Sequence, residues 1–365
     1  MDLKSMASTV ALMAVSLLAV SSTTNGGGGG VRAQPIVPAI ICFGDSTTDV
    51  GNNNYLPGAV FKADYAPYGE NFRRHVATGR FSDGKIVTDI TAETLGFDRY
   101  APPYLSPEAS GKNLLVGANF ASAASSYDDD TAAMYDAITL TQQLRYYKEY
   151  QSKLAAVAGR AEAKAILAGA LYVLSTGTGD FLQNYYHNAS LSARYTVDQY
   201  CDRLVGIFSN FASELYRLGA RRIGVTSMPP LGCLPAAVRL YGGDGRRGAC
   251  VARLNRDAEA FNGKLNATVK ALKRRHAGLK MAVFDIYTPL RQLAEAPAAQ
   301  GFLDARGACC RTGTAKTRVY LCNPSTAGAC RNASRYVFFD GVHPTEAANV
   351  FIAQSMVDAG IELVT

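Results

Sequence analysis

Four short apolar segments, each followed by a loop of glycine, proline or polar residues, constrain the fold of this 365-residue chain more than any other feature. They are residues 38–43, Leu171–Ser175, Arg222–Thr226 and Lys280–Phe284. Runs this short are typical of strands that are covered on both faces, as in a parallel sheet. We therefore expect four buried parallel strands, each leading into a loop.

Long amphipathic stretches between these segments predict helices. Residues 141–157, 197–218 and 251–276 carry apolar side chains three or four positions apart. Thr196 and Gln199 have the spacing of a capping box at the start of the second stretch. Strands that alternate with helices predict an α/β fold with three layers, helix on sheet on helix, around a parallel sheet. Functional sites in such folds form beyond the C-terminal ends of the strands.

Two motifs at opposite ends of the chain carry the chemistry, namely Phe43-Gly44-Asp45-Ser46 and Asp340-Gly341-Val342-His343-Pro344. A serine hydroxyl attacks an ester only when a base lies within hydrogen-bond reach and a carboxylate orients that base. Among the four histidines, only His343 has a carboxylate three residues before it in a short loop. We predict that Ser46 is the nucleophile, His343 the general base and Asp340 its orienting carboxylate, while Asp45 supports the turn.

These motifs, and others between them, resemble the plant branch of the GDSL (SGNH) esterase/lipase family from about residue 40 to the C-terminus. The matching stretches are residues 43–54, 78–85, 117–122 and 336–345. The resemblance implies the flavodoxin-like SGNH hydrolase fold and the same roles for Ser46, His343 and Asp340. It also implies a carboxylic ester hydrolase that works through an acyl-enzyme, with no metal and no organic cofactor.

The resemblance further implies an oxyanion hole with three donors: the Ser46 backbone N–H, a glycine N–H and an asparagine side chain. At the last two positions this chain has Ala124 and Gly179. The alanine matters only if its position requires a positive φ, whereas losing one oxyanion donor typically costs roughly 100- to 1000-fold in turnover. We therefore predict a secreted serine esterase and keep two alternatives: an acyltransferase with the same triad, or a catalytically impaired protein that binds cell-wall or lipid ligands.

The substrate class is less constrained than the reaction. The resemblance allows acyl lipids, small acyl or acetyl esters, and acetylated cell-wall polysaccharides. Residues 51–135 are expected to form a long insertion with little regular structure that shapes a substrate groove, before a last helix at about 345–359. Five tyrosines of the insertion would either line that groove or pack in the interior: Tyr55, Tyr65, Tyr68, Tyr100 and Tyr104.

The N-terminal segment predicts export. An apolar run at residues 6–20 follows Lys4, and small residues precede a cleavage site after Ala33. The run is shorter than the roughly 20 residues that a membrane span needs, so we expect a signal peptide and no stable membrane anchor. Residues 1–33, with a low-complexity glycine run, would be removed, and residues 34–365 would form one hydrolase domain. We expect a secreted protein, with retention in the Golgi left open.

Cysteines and sequons agree with that compartment. Six cysteines are expected to form disulfides of open pairing, since they lack the Cys-x-x-Cys spacing of a zinc site: Cys233, Cys250, Cys309, Cys310, Cys322 and Cys330. Cys42 and Cys201 are expected to be structural thiols. The sequons predict glycosylation at Asn188, Asn266 and Asn332.

The net charge of +7 is scattered along the chain, apart from a basic run at a predicted helix end. We therefore expect no nucleic-acid partner and at most a generic affinity for acidic wall polysaccharides. The oligomeric state is not predicted.

Overall fold

The computed structural model describes residues 34–242, 249–313, 319–325 and 328–365. The predicted signal peptide lies outside the described residues, and Pro35–Thr365 forms one compact unit. The strands are β1 Ile40–Gly44, β2 Gly117–Asn119, β3 Leu171–Ser175, β4 Arg222–Thr226, β5 Lys280–Phe284, β6 Asp304–Ala308 and β7 Tyr336–Phe338. The helices are α1 Val87–Thr94, α2 Asp129–Ala133, α3 Leu140–Ala158, α4 Arg160–Gly169, α5 Ala189–Arg194, α6 Val197–Arg217, α7 Pro235–Tyr241, α8 Ala252–Arg275, α9 Tyr287–Glu295, α10 Glu346–Ser355 and α11 Val357–Val364. A π-helical turn covers Asp180–Tyr185, and short 3-10 turns cover Asn52–Tyr55, Arg73–His75, Gly111–Val116, Leu231–Cys233, Pro297–Gln300 and Ala333–Arg335.

Five strands form one parallel sheet in the order β2-β1-β3-β4-β5. This is the flavodoxin-like order, so the predicted α/β/α architecture is confirmed. Every residue of β1 and β3 is buried, as expected of strands covered on both faces. Helix α3 packs on β1, while α8 and α11 pack on β5. The strand order reverses between β1 and β3, so the loops after these two strands open into one crevice.

Aromatic packing fixes the end of β1 that leads to Ser46. The Phe43 ring lies 5.2 Å from that of Phe120, 5.6 Å from Tyr147 and 5.3 Å from Phe211, measured between centroids. Aromatic pairs of this kind contribute about 0.5–1.5 kcal/mol each beyond the area that they bury. The strand that presents the predicted nucleophile is therefore held from several sides.

The long helices lie close to their predicted limits, as α3, α6 and α8 show. The capping box at the start of α6 is also confirmed, because the Gln199 N–H donates to Thr196 Oγ1 at 3.3 Å. The Thr196 N–H donates in return to Gln199 Oε1 at 3.0 Å. The local sequence signals were thus sufficient for these helices.

One prediction about regular structure was wrong, and two features were not predicted. The insertion has little regular structure, as predicted, but it contains α1, α2 and the strand β2. The three residues of β2 carry no strand signal of their own but pair with β1. Close approach explains Gly117, since a Cβ there would lie 1.9 Å from the Ile40 carbonyl oxygen. The predicted last helix is two helices, α10 and α11, bent by 55°. A second parallel pair, β6 with β7, was not expected in the cysteine-rich segment.

All six cysteines predicted to pair do so, as Cys233–Cys250, Cys309–Cys330 and Cys310–Cys322. Cys42 and Cys201 are buried free thiols. Within the described ranges, no single helix is long and apolar enough to cross a bilayer, although the bent pair α10 and α11 reaches that length and composition together.

Candidate active site

Ser46 and His343, which are 297 residues apart in sequence, meet at the sheet edge. The Ser46 Oγ lies 2.7 Å from His343 Nε2. The other ring nitrogen, Nδ1, lies 2.7 Å from Asp340 Oδ2 and 2.9 Å from Oδ1. Asp340 is fully buried and His343 is 3% exposed. A base at this distance can take the proton of the hydroxyl, and a buried carboxylate can hold the ring in the tautomer that does so.

The turn after β1 depends on a close contact with β3. Gly44 has φ 129°, and a Cβ at this position would lie 1.9 Å from the Ser175 carbonyl oxygen. That carbonyl accepts the Asp45 N–H at 2.9 Å. Asp45 Oδ1 accepts the Thr47 N–H at 3.0 Å and its hydroxyl at 2.7 Å. Asp45 therefore supports the turn, and the absence of a side chain at Gly44 lets the turn approach β3.

Burial raises the pKa of Asp45 to about 6, although the bonds from Thr47 and the nearby His343 oppose this rise. The Asp45 carboxyl group already accepts two hydrogen bonds from Thr47 within the turn. It lines the pocket in front of Ser46 without taking the place of Asp340 beside the imidazole.

The loop that carries His343 is closed on itself. Asp340 Oδ1 accepts the N–H groups of Val342 at 2.9 Å and His343 at 2.7 Å. The His343 carbonyl accepts the Phe339 N–H at 2.8 Å. Helix α10 then begins immediately, with Thr345 Oγ1 accepting the Ala348 N–H at 3.2 Å. These bonds fix the imidazole relative to its carboxylate over very few residues.

Tyr68 adds a contact that the sequence did not predict. Its hydroxyl donates to Asp340 Oδ2 at 2.7 Å and accepts the Cys322 N–H at 3.1 Å. Burial, and then the Asp340 charge, hold the pKa of Tyr68 well above its ordinary value, so the hydroxyl stays a donor. Tyr65 donates to the Cys322 carbonyl at 2.7 Å. The loop closed by Cys310–Cys322 is thus connected to the carboxylate of the site.

The predicted oxyanion positions lie around the same pocket. Ser46, Ala124 and Gly179 all line it. Within the part of the chain that the structure describes, neither the Ser46 N–H nor the Ala124 N–H is taken by another group. Ala124 has φ 69°, a left-handed conformation that favours glycine. The alanine therefore occupies a position that does require positive φ, at a cost of roughly 1–2 kcal/mol.

Comparison with known proteins agrees with the fold and the motifs. The family model for GDSL-like lipase/acylhydrolase matches residues 40–356. The chain is 56% identical to the Arabidopsis thaliana GDSL esterase/lipase APG over 90% of this chain and 92% of that protein. It is 55% identical to GDSL esterase/lipase At5g03820 of the same plant, over 91% of this chain and 93% of that protein. The chain belongs to the GDSL-like lipase/acylhydrolase family. The family membership that the motifs indicated is thereby confirmed.

The pocket of this GDSL family member is small. Its cavity volume is about 30 Å³, and its apolar lining includes Phe61, Leu182, Tyr320 and Val342. A larger cleft of about 230 Å³ lies beside α3 and α4, but its ionisable lining residues are all basic and it contains none of the GDSL motif residues. The small pocket in front of Ser46 is therefore the candidate active site.

The five tyrosines of the insertion, for which a groove role and a packing role were both open, do not line this pocket. Tyr68 lies behind Asp340 instead. Tyr320 takes a place in the lining, with its hydroxyl donating to the Leu182 carbonyl at 2.8 Å. Its position between paired cysteines gave no signal, because only the folded disulfide loop brings it to the sheet edge.

Two further predictions can be placed without being tested. The sequon residues Asn188, Asn266 and Asn332 are all exposed. Among the described residues, no group of three or more His, Cys, Asp or Glu side chains could hold a metal ion.

Proposed function

We propose that this protein is a secreted serine ester hydrolase in which Ser46, His343 and Asp340 form the catalytic triad. The observation that carries the proposal is the continuous chain of short hydrogen bonds from Ser46 Oγ through the His343 ring to Asp340. Membership of an esterase/lipase family supports it. The disulfides support passage through an oxidising compartment.

The mechanism follows from the geometry. Ser46 Oγ attacks the ester carbonyl carbon while its proton passes to His343 Nε2, and Asp340 stabilises the imidazolium that forms. The tetrahedral intermediate collapses when Nε2 returns the proton to the leaving alcohol, which leaves an acyl-serine. Water then attacks this ester, with His343 again taking and returning one proton, and the products are a carboxylic acid and free Ser46.

The pocket favours a short acyl group. A cavity of about 30 Å³ accommodates an acetyl or similarly small group better than a long chain. The apolar side chains of Phe61, Leu182 and Tyr320 would surround that group. We therefore propose acetyl and short acyl esters as substrates, with the alcohol part, small or polymeric, outside the pocket.

The test is hydrolysis of 4-nitrophenyl acetate, butyrate and octanoate by the purified secreted protein and its Ser46→Ala variant. We expect activity that is highest on acetate and absent from the variant. Ser152→Ala, on the exposed side of α3, is the matched control and should keep full activity. Turnover that requires an added alcohol acceptor would indicate an acyltransferase. A folded wild-type protein with no turnover on any ester would refute the proposal and favour a binding protein.

A further inference from the structure

The position where the GDSL family pattern has an asparagine is occupied by Gly179, yet nothing in the backbone requires glycine there. Gly179 has φ −63° and ψ −37°, a helical conformation that any residue adopts. The reason is space. A Cβ on Gly179 would lie 2.6 Å from Ser126 Oγ and 2.7 Å from Gln183 Oε1. Two polar side chains thus occupy the space where the Cβ of an asparagine would lie.

These two polar atoms share a second property. Ser126 Oγ and Gln183 Oε1 are both buried without a hydrogen-bond partner among the described residues. An unpaired buried polar atom is destabilising, so its presence needs an explanation, which a bound ligand or water can supply. Both lie beside the pocket that contains Ser46, and Gln183 is part of its lining.

The segment that carries Gln183 is held in place on both sides. The Gln183 backbone carbonyl accepts a hydrogen bond from the Tyr135 hydroxyl at 3.1 Å. The preceding Leu182 carbonyl accepts one from the Tyr320 hydroxyl at 2.8 Å. Asp180 accepts the N–H groups of Tyr127 at 2.9 Å and Asp128 at 3.2 Å. The backbone of this π-helical turn is therefore fixed, so a donor side chain on it has a fixed starting point, as an oxyanion site requires.

We propose that the side-chain amide of Gln183 replaces the missing asparagine as the third donor of the oxyanion hole. Gln183 Nε2 donates to the oxyanion formed when Ser46 attacks, beside the N–H groups of Ser46 and Ala124. In the reacting complex, the Ser126 hydroxyl donates to Gln183 Oε1, an acceptor that is unpaired in the free protein, and this bond directs Nε2 towards the pocket. Gly179 has no side chain because Gln183, one turn later, fills that space. The inference rests on the proposed ester hydrolysis.

The main variant is Gln183→Glu, which keeps the shape of the side chain but replaces the N–H donors with an anionic oxygen. We expect kcat on 4-nitrophenyl acetate to fall by about 100-fold or more, with KM changed less than about threefold, because the donor acts in the transition state. The rate at which a 4-nitrophenyl methylphosphonate labels Ser46 should fall in parallel, since its phosphoryl oxygen uses the same hole. Gln292→Glu, the same exchange at an exposed position on α9, should change neither rate.

A second pair of variants separates this role from mere packing. Gln183→Ala combined with Ser126→Ala removes the amide and both atoms that crowd residue 179. Adding Gly179→Asn to this pair returns an amide from the family position, and kcat should recover at least tenfold over the pair alone. Gly179→Asn by itself should give no gain, because its Cβ meets Gln183 Oε1 and Ser126 Oγ.

The outcomes are distinguishable. Wild-type turnover that persists in Gln183→Glu within about threefold would overturn the inference and leave the proposed hydrolase intact. A gain in kcat from Gly179→Asn alone that the triple variant lacks would also overturn the inference. A wild-type protein that neither turns over the acetate nor is labelled by the phosphonate would refute the proposed function, and the inference with it.

Discussion

Tyr68→Phe tests whether the network behind Asp340 tunes the reaction. The substitution removes one hydroxyl, whose bond to the buried Asp340 carboxylate is 2.7 Å long. Hydrogen bonds to charged groups contribute about 1.5–3 kcal/mol. The loss also leaves the Cys322 N–H without the acceptor that it has at 3.1 Å. We expect the free energy of unfolding to fall by about 2–3 kcal/mol.

The same change should move the pH profile. Without the Tyr68 donor, more of the Asp340 charge is available to stabilise the imidazolium form of His343. The free base then requires a higher pH, so the acid limb of kcat/KM shifts upwards. If about a third to a half of the lost bond energy distinguishes the two forms of the ring, the shift is about 0.5–1 pH unit, since one unit corresponds to about 1.4 kcal/mol.

Tyr65→Phe is the matched control. It also removes a tyrosine hydroxyl that bonds Cys322, but this hydroxyl donates to the Cys322 carbonyl at 2.7 Å. It should reduce stability by about 0.5–1.5 kcal/mol and leave the acid limb in place. The assay is kcat/KM for 4-nitrophenyl acetate from pH 5 to 9, with urea unfolding of each variant. Equal profiles for wild type and Tyr68→Phe, or equal shifts in both variants, would refute the argument.

Two predictions concern stability. Gly44→Ala should reduce the free energy of unfolding by more than about 2 kcal/mol and abolish activity, because φ is 129° and the new Cβ meets the Ser175 carbonyl. The control is Gly263→Ala, in open space on α8, which should be neutral or stabilising in the same unfolding assay. Burial raises the pKa of Asp180 from 3.8 to about 8, so its protonation stabilises the folded state below pH 4 and this stability is lost as pH rises through 8. Between pH 6 and 8, the free energy of unfolding of the wild type should therefore fall as pH rises, and Asp180→Asn should make this slope less steep by up to about 1.4 kcal/mol per pH unit. An unchanged slope would contradict this.

Much of the fold was predictable because its signals are local. The apolar strands, the long amphipathic helices and the capping box at Thr196 each depend on residues a few positions apart. β2 was missed for the opposite reason, since Gly117–Asn119 becomes a strand only through pairing with β1. The bend between α10 and α11 likewise was not predicted, because neither proline nor glycine lies at the junction between Ser355 and Val357.

The sequence by itself determined which groups are available for chemistry. Asp340 and His343 share one short loop, and Ser46 follows a strand whose end must lie at the site edge, so their meeting follows from motif and topology. It also determined that Ala124 and Gly179 depart from the GDSL pattern.

Only the tertiary structure decided what surrounds those groups. Tyr68 reaches Asp340 across 272 positions in sequence, and Tyr320 enters the pocket lining through the disulfide loop. The crowding of Gly179 by Ser126 and Gln183 is visible only when the β3 loop packs against the end of the insertion. Such contacts depend on how distant segments pack in three dimensions, and no local pattern in one sequence encodes that packing.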